Sequence, residues 1–227
     1  MTAPWTALVP AKPLARAKSR CAGLTPAARR SLAAAMLTDL VGRLRAVPAV
    51  RSVVVVTTDP EATGLALASG AAVTGSARAP GLNDEVADAL ALVGGAAPAT
   101  GLALVMGDLA GAGTADCATA LALAARHRRA VVGDADGTGT TLLTLRDPAD
   151  FRPFLGPGSL GRFRAAGYRN LGVAPSSPLR RDVDTVAHLL SLPPHTLGPA
   201  TRRWLAAFPP PGPRPGPSPL ERRVGAP

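Results

Sequence analysis

The chain has 227 residues, of which 47% are apolar and 3% aromatic, and its formal net charge is +10. This length and apolar content suit one large globular domain. The basic charge favours polyanionic partners, and a small phosphorylated ligand fits it as well as DNA does. Because aromatic side chains are not interleaved with the basic ones, a nucleic-acid-binding module is the weaker interpretation.

Short apolar runs alternate with Ala/Leu-rich segments of helical length, a pattern typical of βα units around a mostly parallel sheet. The sequence therefore predicts an α/β fold. Thr25 is predicted to cap the first helix, because Pro26 follows it at a position where a missing N–H costs nothing. Strands are predicted at 6–9, 53–57, 71–73, 102–106, 130–132 and 140–145. Helices are predicted at 26–47, 60–69, 84–92, 114–127 and 159–166.

The composition changes at Pro209, where seven prolines fall within residues 209–219. Such a segment cannot continue a helix or a sheet, so residues 1–208 are predicted to form the domain and residues 209–227 a flexible tail. No apolar run approaches the ~18 residues of a membrane span, and the N-terminus lacks the pattern of a signal peptide. We therefore expect a cytoplasmic protein that does not enter membranes.

The chain contains only two lysines, Lys12 and Lys18, and both lie on the loop that follows the first predicted strand, with Arg20 nearby. An ammonium group is a compact charge that reaches one phosphate oxygen without the bidentate geometry of arginine. The pair therefore indicates a phosphate site. The alternative is a coincidence on a solvated loop.

Two glycine-rich segments are candidates for ligand binding. Residues 133–141 combine glycines with threonines, so that the backbone can approach an anion closely; the alternative is a glycine turn in a hairpin. In residues 156–159, Ser159 is predicted to cap a helix whose free amides hold an anion, the alternative being an ordinary helix start. A P-loop is excluded, since neither segment contains lysine.

Three aspartates are candidates for binding a metal ion or for capping a helix. Asp108 stands just past the strand at 102–106, at the edge of an open α/β sheet where ligands bind. Asp182 and Asp184 are spaced to share one side of an extended segment. Mg²⁺ prefers oxygen ligands, so Asp108 and Asp182 are the candidate Mg²⁺ ligands, while Asp184 is interpreted as a helix cap. A reaction without a protein nucleophile, such as nucleotidyl transfer, fits these residues.

Taken in order, residues 9–20, 81–83, 108–109, 136–141, 156–159 and 181–185 resemble the 2-phospho-L-lactate guanylyltransferase family, called CofC or FbiD. The resemblance covers roughly residues 5–190. It implies a three-layer, Rossmann-like nucleotidyltransferase fold. It also implies transfer of GMP from GTP to a phosphorylated three-carbon acid, phosphoenolpyruvate or 2-phospho-L-lactate, with release of pyrophosphate, in coenzyme F420 biosynthesis.

The resemblance also implies site residues. The phosphorylated acid would contact Thr141, Gly156 and Ser159, and Mg²⁺ would be held by Asp108 and Asp182. The nucleotide would contact five residues, namely Lys12, Lys18, Arg20, Gly81 and Asn83. Lys12, Lys18 and Asp108 would act in catalysis.

Two positions depart from the family pattern. Ala110 replaces the usual proline of Asp-Leu-Pro, which is expected to loosen the turn after Asp108. Leu155 is an extra residue within the usual Phe-Gly-Pro, which is expected to shift the acid-binding loop. Open alternatives are another acceptor, such as 3-phosphoglycerate or a sugar phosphate, and the nucleic-acid module. A homodimer is also left open.

Overall fold

The computed structural model describes residues 4–75, 81–96 and 100–208, so the predicted tail lies outside the described residues. In the described part, one seven-stranded sheet has the order β3-β2-β1-β4-β6-β5-β7. Its strands are β1 (Trp5–Pro10), β2 (Val50–Val56), β3 (Ala72–Thr74), β4 (Gly101–Val105), β5 (Arg129–Gly133), β6 (Thr140–Leu145) and β7 (Arg169–Asn170). Only β6 runs antiparallel to its neighbours, so the predicted mostly parallel sheet is confirmed.

The helices surround this sheet. They are α1 (Pro26–Arg45), α2 (Pro60–Ala68), α3 (Leu82–Ala96), α4 (Thr114–Ala124), α5 (Ser159–Ala165), α6 (Val186–Ser191) and α7 (Pro199–Ala207). Thr25 caps α1 as predicted, because its hydroxyl accepts the N–H of Ala28 at 3.2 Å. Among the described helices, none combines the length and the apolar character that crossing a bilayer requires.

Apolar side chains cover both faces of the sheet. On one face, Leu40 of α1 and Leu121 of α4 belong to the same buried cluster as Val55 of β2. On the other face, Leu90 of α3 and Phe163 of α5 belong to a second cluster. Strands buried on both faces require continuous apolar runs, which is why the central strands were readable in the sequence. The result is the predicted three-layer arrangement.

The glycine-rich segment after β5 is the loop of a hairpin. Strands β5 and β6 pair antiparallel, with Gly133 opposite Thr140. The loop between them includes Gly137, whose φ of +73° favours glycine. The alternative interpretation of this segment, a glycine turn in a hairpin, is therefore confirmed for its backbone. It also places the first residues of β6 beside the end of β4, where Val105 pairs with Leu142.

Helix α7 was not predicted, because what fixes it is a long-range contact. The buried carboxylate of Asp39, on α1, accepts the N–H groups of Ala200 at 2.9 Å and of Thr201 at 2.8 Å. A Cβ at Gly198 would lie 2.1 Å from the Asp39 carboxyl carbon, so this close approach requires glycine. The local signal for the helix was Pro199 at its first position.

Replacing Asp39 with alanine should lower the free energy of unfolding by about 1–3 kcal/mol, because two amides of α7, one buried and one partly buried, lose a charged acceptor. Urea denaturation measures this change. Asp88→Ala, at an exposed position on α3, is the matched control and should change stability little. Equal stability of the two variants would contradict this role of Asp39.

Candidate functional site

The candidate site lies at the carboxyl edge of the sheet, between β1 and β4. These strands are neighbours in the sheet, yet the chain leads from β1 through α1 to β2 on one side and from β4 through α4 to β5 on the other side. Such a switch point is where open α/β sheets bind ligands. The loop with both lysines follows β1, and Asp108 follows β4. The N–H of Met106 donates to the carbonyl of Thr141 at 3.0 Å, which joins the start of β6 to this edge.

Three carboxylates, those of Asp108, Asp182 and Asp184, form an acidic trio at this edge. One oxygen from each lies within 4.8 Å of the others. Carboxylate oxygens of Asp182 and Asp184 come together although Val183 between these residues is fully buried. The sequence interpretation of Asp184 as a helix cap is wrong. Thr185 caps α6 instead, accepting a backbone N–H through its side chain.

Several contacts hold the trio together against its own repulsion. The N–H of Val183 donates to the carbonyl of Asp108 at 2.9 Å, and the carbonyl of Val183 accepts from Lys18 Nζ at 2.5 Å. Arg20 Nη1 lies 2.8 Å from Asp184 Oδ2. The loop after β1 is thereby fastened to the segment that carries two of the three carboxylates. Long-range contacts of this kind leave no signal in the local sequence.

The trio has the electrostatics of a cation site. Burial raises the pKa of Asp182, and the neighbouring carboxylates of Asp108 and Asp184 raise it further. Asp108 Oδ1 is buried and has no hydrogen-bond partner within the described residues. Crowded carboxylate oxygens and an unpartnered buried acceptor fit a hard divalent cation such as Mg²⁺ or Mn²⁺. The trio contains both predicted ligands, Asp108 and Asp182, and adds Asp184.

The two lysines differ in their surroundings. Lys18 has a φ of +55°, which is uncommon for a residue other than glycine. Its ammonium group donates a hydrogen bond to the carbonyl of Val183. Lys12 is exposed and makes no hydrogen bond or ion pair with the part of the chain that the structure describes. Lys12 is thus available to an incoming ligand, while Lys18 also joins the loop to the trio.

Arg43 holds the backbone after Asp108. This arginine, on α1, donates to the carbonyls of Ala110 at 2.9 Å and of Ala112 at 3.0 Å. Ala110 itself is buried. The expectation that alanine in place of proline loosens this turn stays a prediction, and these two hydrogen bonds oppose such loosening.

The second glycine-rich segment lies beside the hairpin. Ser159 is buried, and its hydroxyl lies 2.9 Å from that of Thr140. The cap of α5 is Gly158 rather than Ser159. The first two amides of α5 are already engaged, since Ser159 donates to Gly156 and Leu160 donates to Thr138. The prediction of free amides at these two positions is therefore wrong.

Other groups around this segment remain open to an anion. The amides of Gly156 and Gly158 donate to no other group among the residues that the structure describes, and both glycines are exposed. The Thr141 hydroxyl is buried and donates to the carbonyl of Val132 at 3.4 Å. Of the two neighbouring threonines, Thr140 therefore provides the hydroxyl that meets Ser159.

Arg180 links the hairpin loop to the acidic trio, a role that the sequence did not reveal. Its Nε donates to the carbonyl of Gly133 at 3.1 Å and its Nη2 to that of Asp134 at 2.7 Å. It stands two residues before Asp182 in the chain. In the sequence, Arg180 was one of many arginines, and nothing local distinguished it.

Two predicted nucleotide-binding residues lie at the start of α3, Gly81 just before it and Asn83 in its first turn. A Cβ at Gly81 would meet nothing within 4 Å, so this residue borders open space. Asn83 is bonded to the loop before α5: its Oδ1 accepts the N–H of Leu155 at 2.9 Å, and its Nδ2 donates to the carbonyl of Leu155 at 3.2 Å. The structure thus brings Asn83 to the predicted acid-binding loop.

Residues 5–207 match the family described as Guanylyl transferase CofC like. The phosphoenolpyruvate guanylyltransferase of Thermomonospora curvata is 39% identical over 205 residues, covering 90% of each chain. The phosphoenolpyruvate guanylyltransferase of Streptomyces avermitilis is 39% identical over 215 residues, covering 92% of this chain and 98% of that protein.

Solved structures of lower identity share the fold. A nucleotidyl transferase from Methanothermobacter thermautotroptrophicus superposes with a TM-score of 0.56 at 18% identity, covering 85% of this chain and 97% of that one. A Mycobacterium tuberculosis protein solved in complex with manganese has a TM-score of 0.54 at 20% identity, covering 87% of this chain and 99% of that one. These likenesses confirm the predicted nucleotidyltransferase fold.

Replacing Asp182 with asparagine should stabilise the metal-free protein at neutral pH. The pKa of Asp182 is raised in the folded state, so its ionised form costs stability above the ordinary aspartate pKa, and a neutral amide removes that cost. The difference between variant and wild type should shrink as the pH falls through the raised pKa. Thermal unfolding without metal at several pH values measures it.

Adding Mn²⁺ should reverse the order of stability, because only the wild type keeps the full set of carboxylates. Asp88→Asn, exposed on α3, is the control and should follow the wild type in both conditions. Equal melting temperatures of Asp182→Asn and wild type at neutral pH without metal would contradict the repulsion argument.

Proposed function

Because this chain belongs to the CofC-like guanylyl transferase family, we propose that it transfers GMP from GTP to a phosphorylated three-carbon acid in coenzyme F420 biosynthesis. Pyrophosphate is the second product. Phosphoenolpyruvate is favoured over 2-phospho-L-lactate as the acceptor, because the relatives carry its name. The observation that carries the proposal is the acidic trio at the switch point of a nucleotidyltransferase fold.

The reaction requires no protein nucleophile. A phosphate oxygen of the acid forms a bond to the α-phosphorus of GTP, and the bond from that phosphorus to the oxygen bridging to the β-phosphate breaks. A phosphate monoester has its second pKa near about 6, so at neutral pH it is largely ionised and needs no base. Positioning and charge neutralisation therefore supply most of the rate.

The acidic trio is proposed to bind Mg²⁺, with Asp108 and Asp182 as ligands and Asp184 within reach. When bound, the cation would neutralise charge on the transferred phosphate. The unpartnered Oδ1 of Asp108 and the raised pKa of Asp182 support a divalent cation at this place. Asp108 is proposed to be essential, because its buried Oδ1 has no hydrogen-bond partner among the described residues and would be satisfied by the cation.

The loop after β1 is proposed to bind the triphosphate. Lys12, exposed and unpaired among the described residues, would contact the phosphates and neutralise the departing pyrophosphate. Lys18 and Arg20 would border the same phosphates while holding the trio. Gly81 would lie on the side of the base, where open space adjoins it.

The loop before α5 is proposed to bind the acid. The hydroxyl pair of Thr140 and Ser159, next to the predicted Thr141, and the free amides of Gly156 and Gly158 offer donors to phosphate and carboxylate oxygens. Donors without charge suit an acceptor whose phosphate must remain nucleophilic.

Pyrophosphate release tests the proposed function directly. The protein is incubated with GTP and Mg²⁺ and with phosphoenolpyruvate, 2-phospho-L-lactate or 3-phosphoglycerate in separate reactions. We expect release that depends on one of the first two acids, and none from Asp108→Asn, which should unfold at nearly the wild-type temperature. Release with 3-phosphoglycerate alone would point to another acceptor, and no release with any acid would contradict the proposal.

The two lysines should respond differently to substitution. Lys12→Ala should raise the KM for GTP about tenfold, the cost of one charge-assisted hydrogen bond, with no change in melting temperature. Lys18→Ala should lower both turnover and melting temperature, since it also releases Val183. Steady-state kinetics at varied GTP, combined with thermal unfolding, measures both. Unchanged KM and turnover in Lys12→Ala would return Lys12 to the status of a solvated surface residue.

A further inference from the structure

We propose that Asn83 is a positioning residue that holds the acid-binding loop and thereby sets the affinity for the phosphorylated acid. The proposal rests on the proposed function. It differs from the role that the resemblance gives Asn83, which is contact with the nucleotide. The observation behind it is the pair of hydrogen bonds between the Asn83 carboxamide and both backbone groups of Leu155.

These two bonds fix the carboxamide in one orientation. Oδ1 accepts an N–H while Nδ2 donates to a carbonyl of the same residue, so a flipped amide would set donor against donor and acceptor against acceptor. Asn83 stands in the first turn of α3, and α3 is anchored by Val86 and Leu90 in the buried cluster that also holds the side chain of Leu155. The loop is therefore fastened to a rigid helix through both backbone and side chain.

The loop needs such an attachment because of the residues that follow. Gly156 has a φ of +118° and Gly158 a φ of +70°. Because glycine adopts positive and negative φ about equally readily, these two residues do not by themselves fix the backbone of the loop. Before them, the carbonyl of Phe154 accepts from Arg162 at 2.8 Å. The bonds of Asn83 to Leu155 are thus the last side-chain contacts before the free amide of Gly156.

Leu155 directly precedes Gly156 in the chain. Because Asn83 holds both backbone groups of Leu155, it also gives Gly156 a defined position at the point where the acid is proposed to bind. Asn83 therefore acts on the acid through the loop.

Steady-state kinetics of Asn83→Ala tests this role. We expect the KM for the acid to rise about tenfold, the cost of losing one to two net hydrogen bonds, while the KM for GTP and the preference for GTP over ITP stay at wild-type values. Asn170→Ala, which changes the chain's other asparagine at an exposed position of β7, is the control and should match the wild type.

Two results would overturn the proposal. A raised KM for GTP with a weakened preference over ITP would show that Asn83 contacts the base. A proportional loss with both substrates, together with a lower melting temperature, would show a merely structural residue.

Hydrogen–deuterium exchange separates this proposal from the proposed function. If none of the tested acids supports pyrophosphate release by the wild type, the proposed function fails. The exchange of residues 151–158 still tests the loop attachment in that case. Exchange there should be faster in Asn83→Ala than in the wild type and unchanged in Asn170→Ala. Asn83→Asp, which keeps the acceptor and loses the donor, should be intermediate. Wild-type exchange in both Asn83 variants would overturn the attachment.

Discussion

Repulsion among Asp108, Asp182 and Asp184 is the constraint that the other contacts of the site must offset. These carboxylates come from two distant parts of the chain and lie within 4.8 Å of one another at their nearest oxygens. The opposing contacts converge on Val183. Its side chain is buried, its N–H donates to the carbonyl of Asp108, and its carbonyl accepts from Lys18. The fold thus holds negative charge in place before any cation arrives, as a preorganised site requires.

The sequence predicted the sheet and most helices because their causes are local. Continuous apolar runs marked the strands that are buried on both faces, and the Thr25 and Pro26 pair marked the start of α1. Helix α7 escaped because its first turn is held by Asp39, far away in the chain. The cap of α5 was misassigned because the Ser159 hydroxyl bonds to Thr140, a strand residue.

The sequence predicted which residues belong to the site, but it did not predict the different contacts that each of them makes. Spacing alone suggested that Asp182 and Asp184 could share one side of an extended segment, and only the structure showed that Thr185 rather than Asp184 caps α6 and that Asp184 joins the trio. Nothing in the sequence distinguished the role of Lys12 from that of Lys18. A left-handed backbone and a bond to Val183 distinguish Lys18, and both depend on the folded partner segment.

The antiparallel direction of β6 has a consequence for how acceptor recognition can diversify. A parallel strand would reach this edge only through a crossover helix, whereas β6 reaches it through a hairpin whose loop, 134–139, projects from the end of a fixed ladder. Insertions between Asp134, which accepts from Arg180, and Thr138, which accepts from α5, would leave the strand register unchanged. The proposed acceptor side of the site can thus vary in length at this loop, while the side that carries the lysines and carboxylates is attached to the core of the fold.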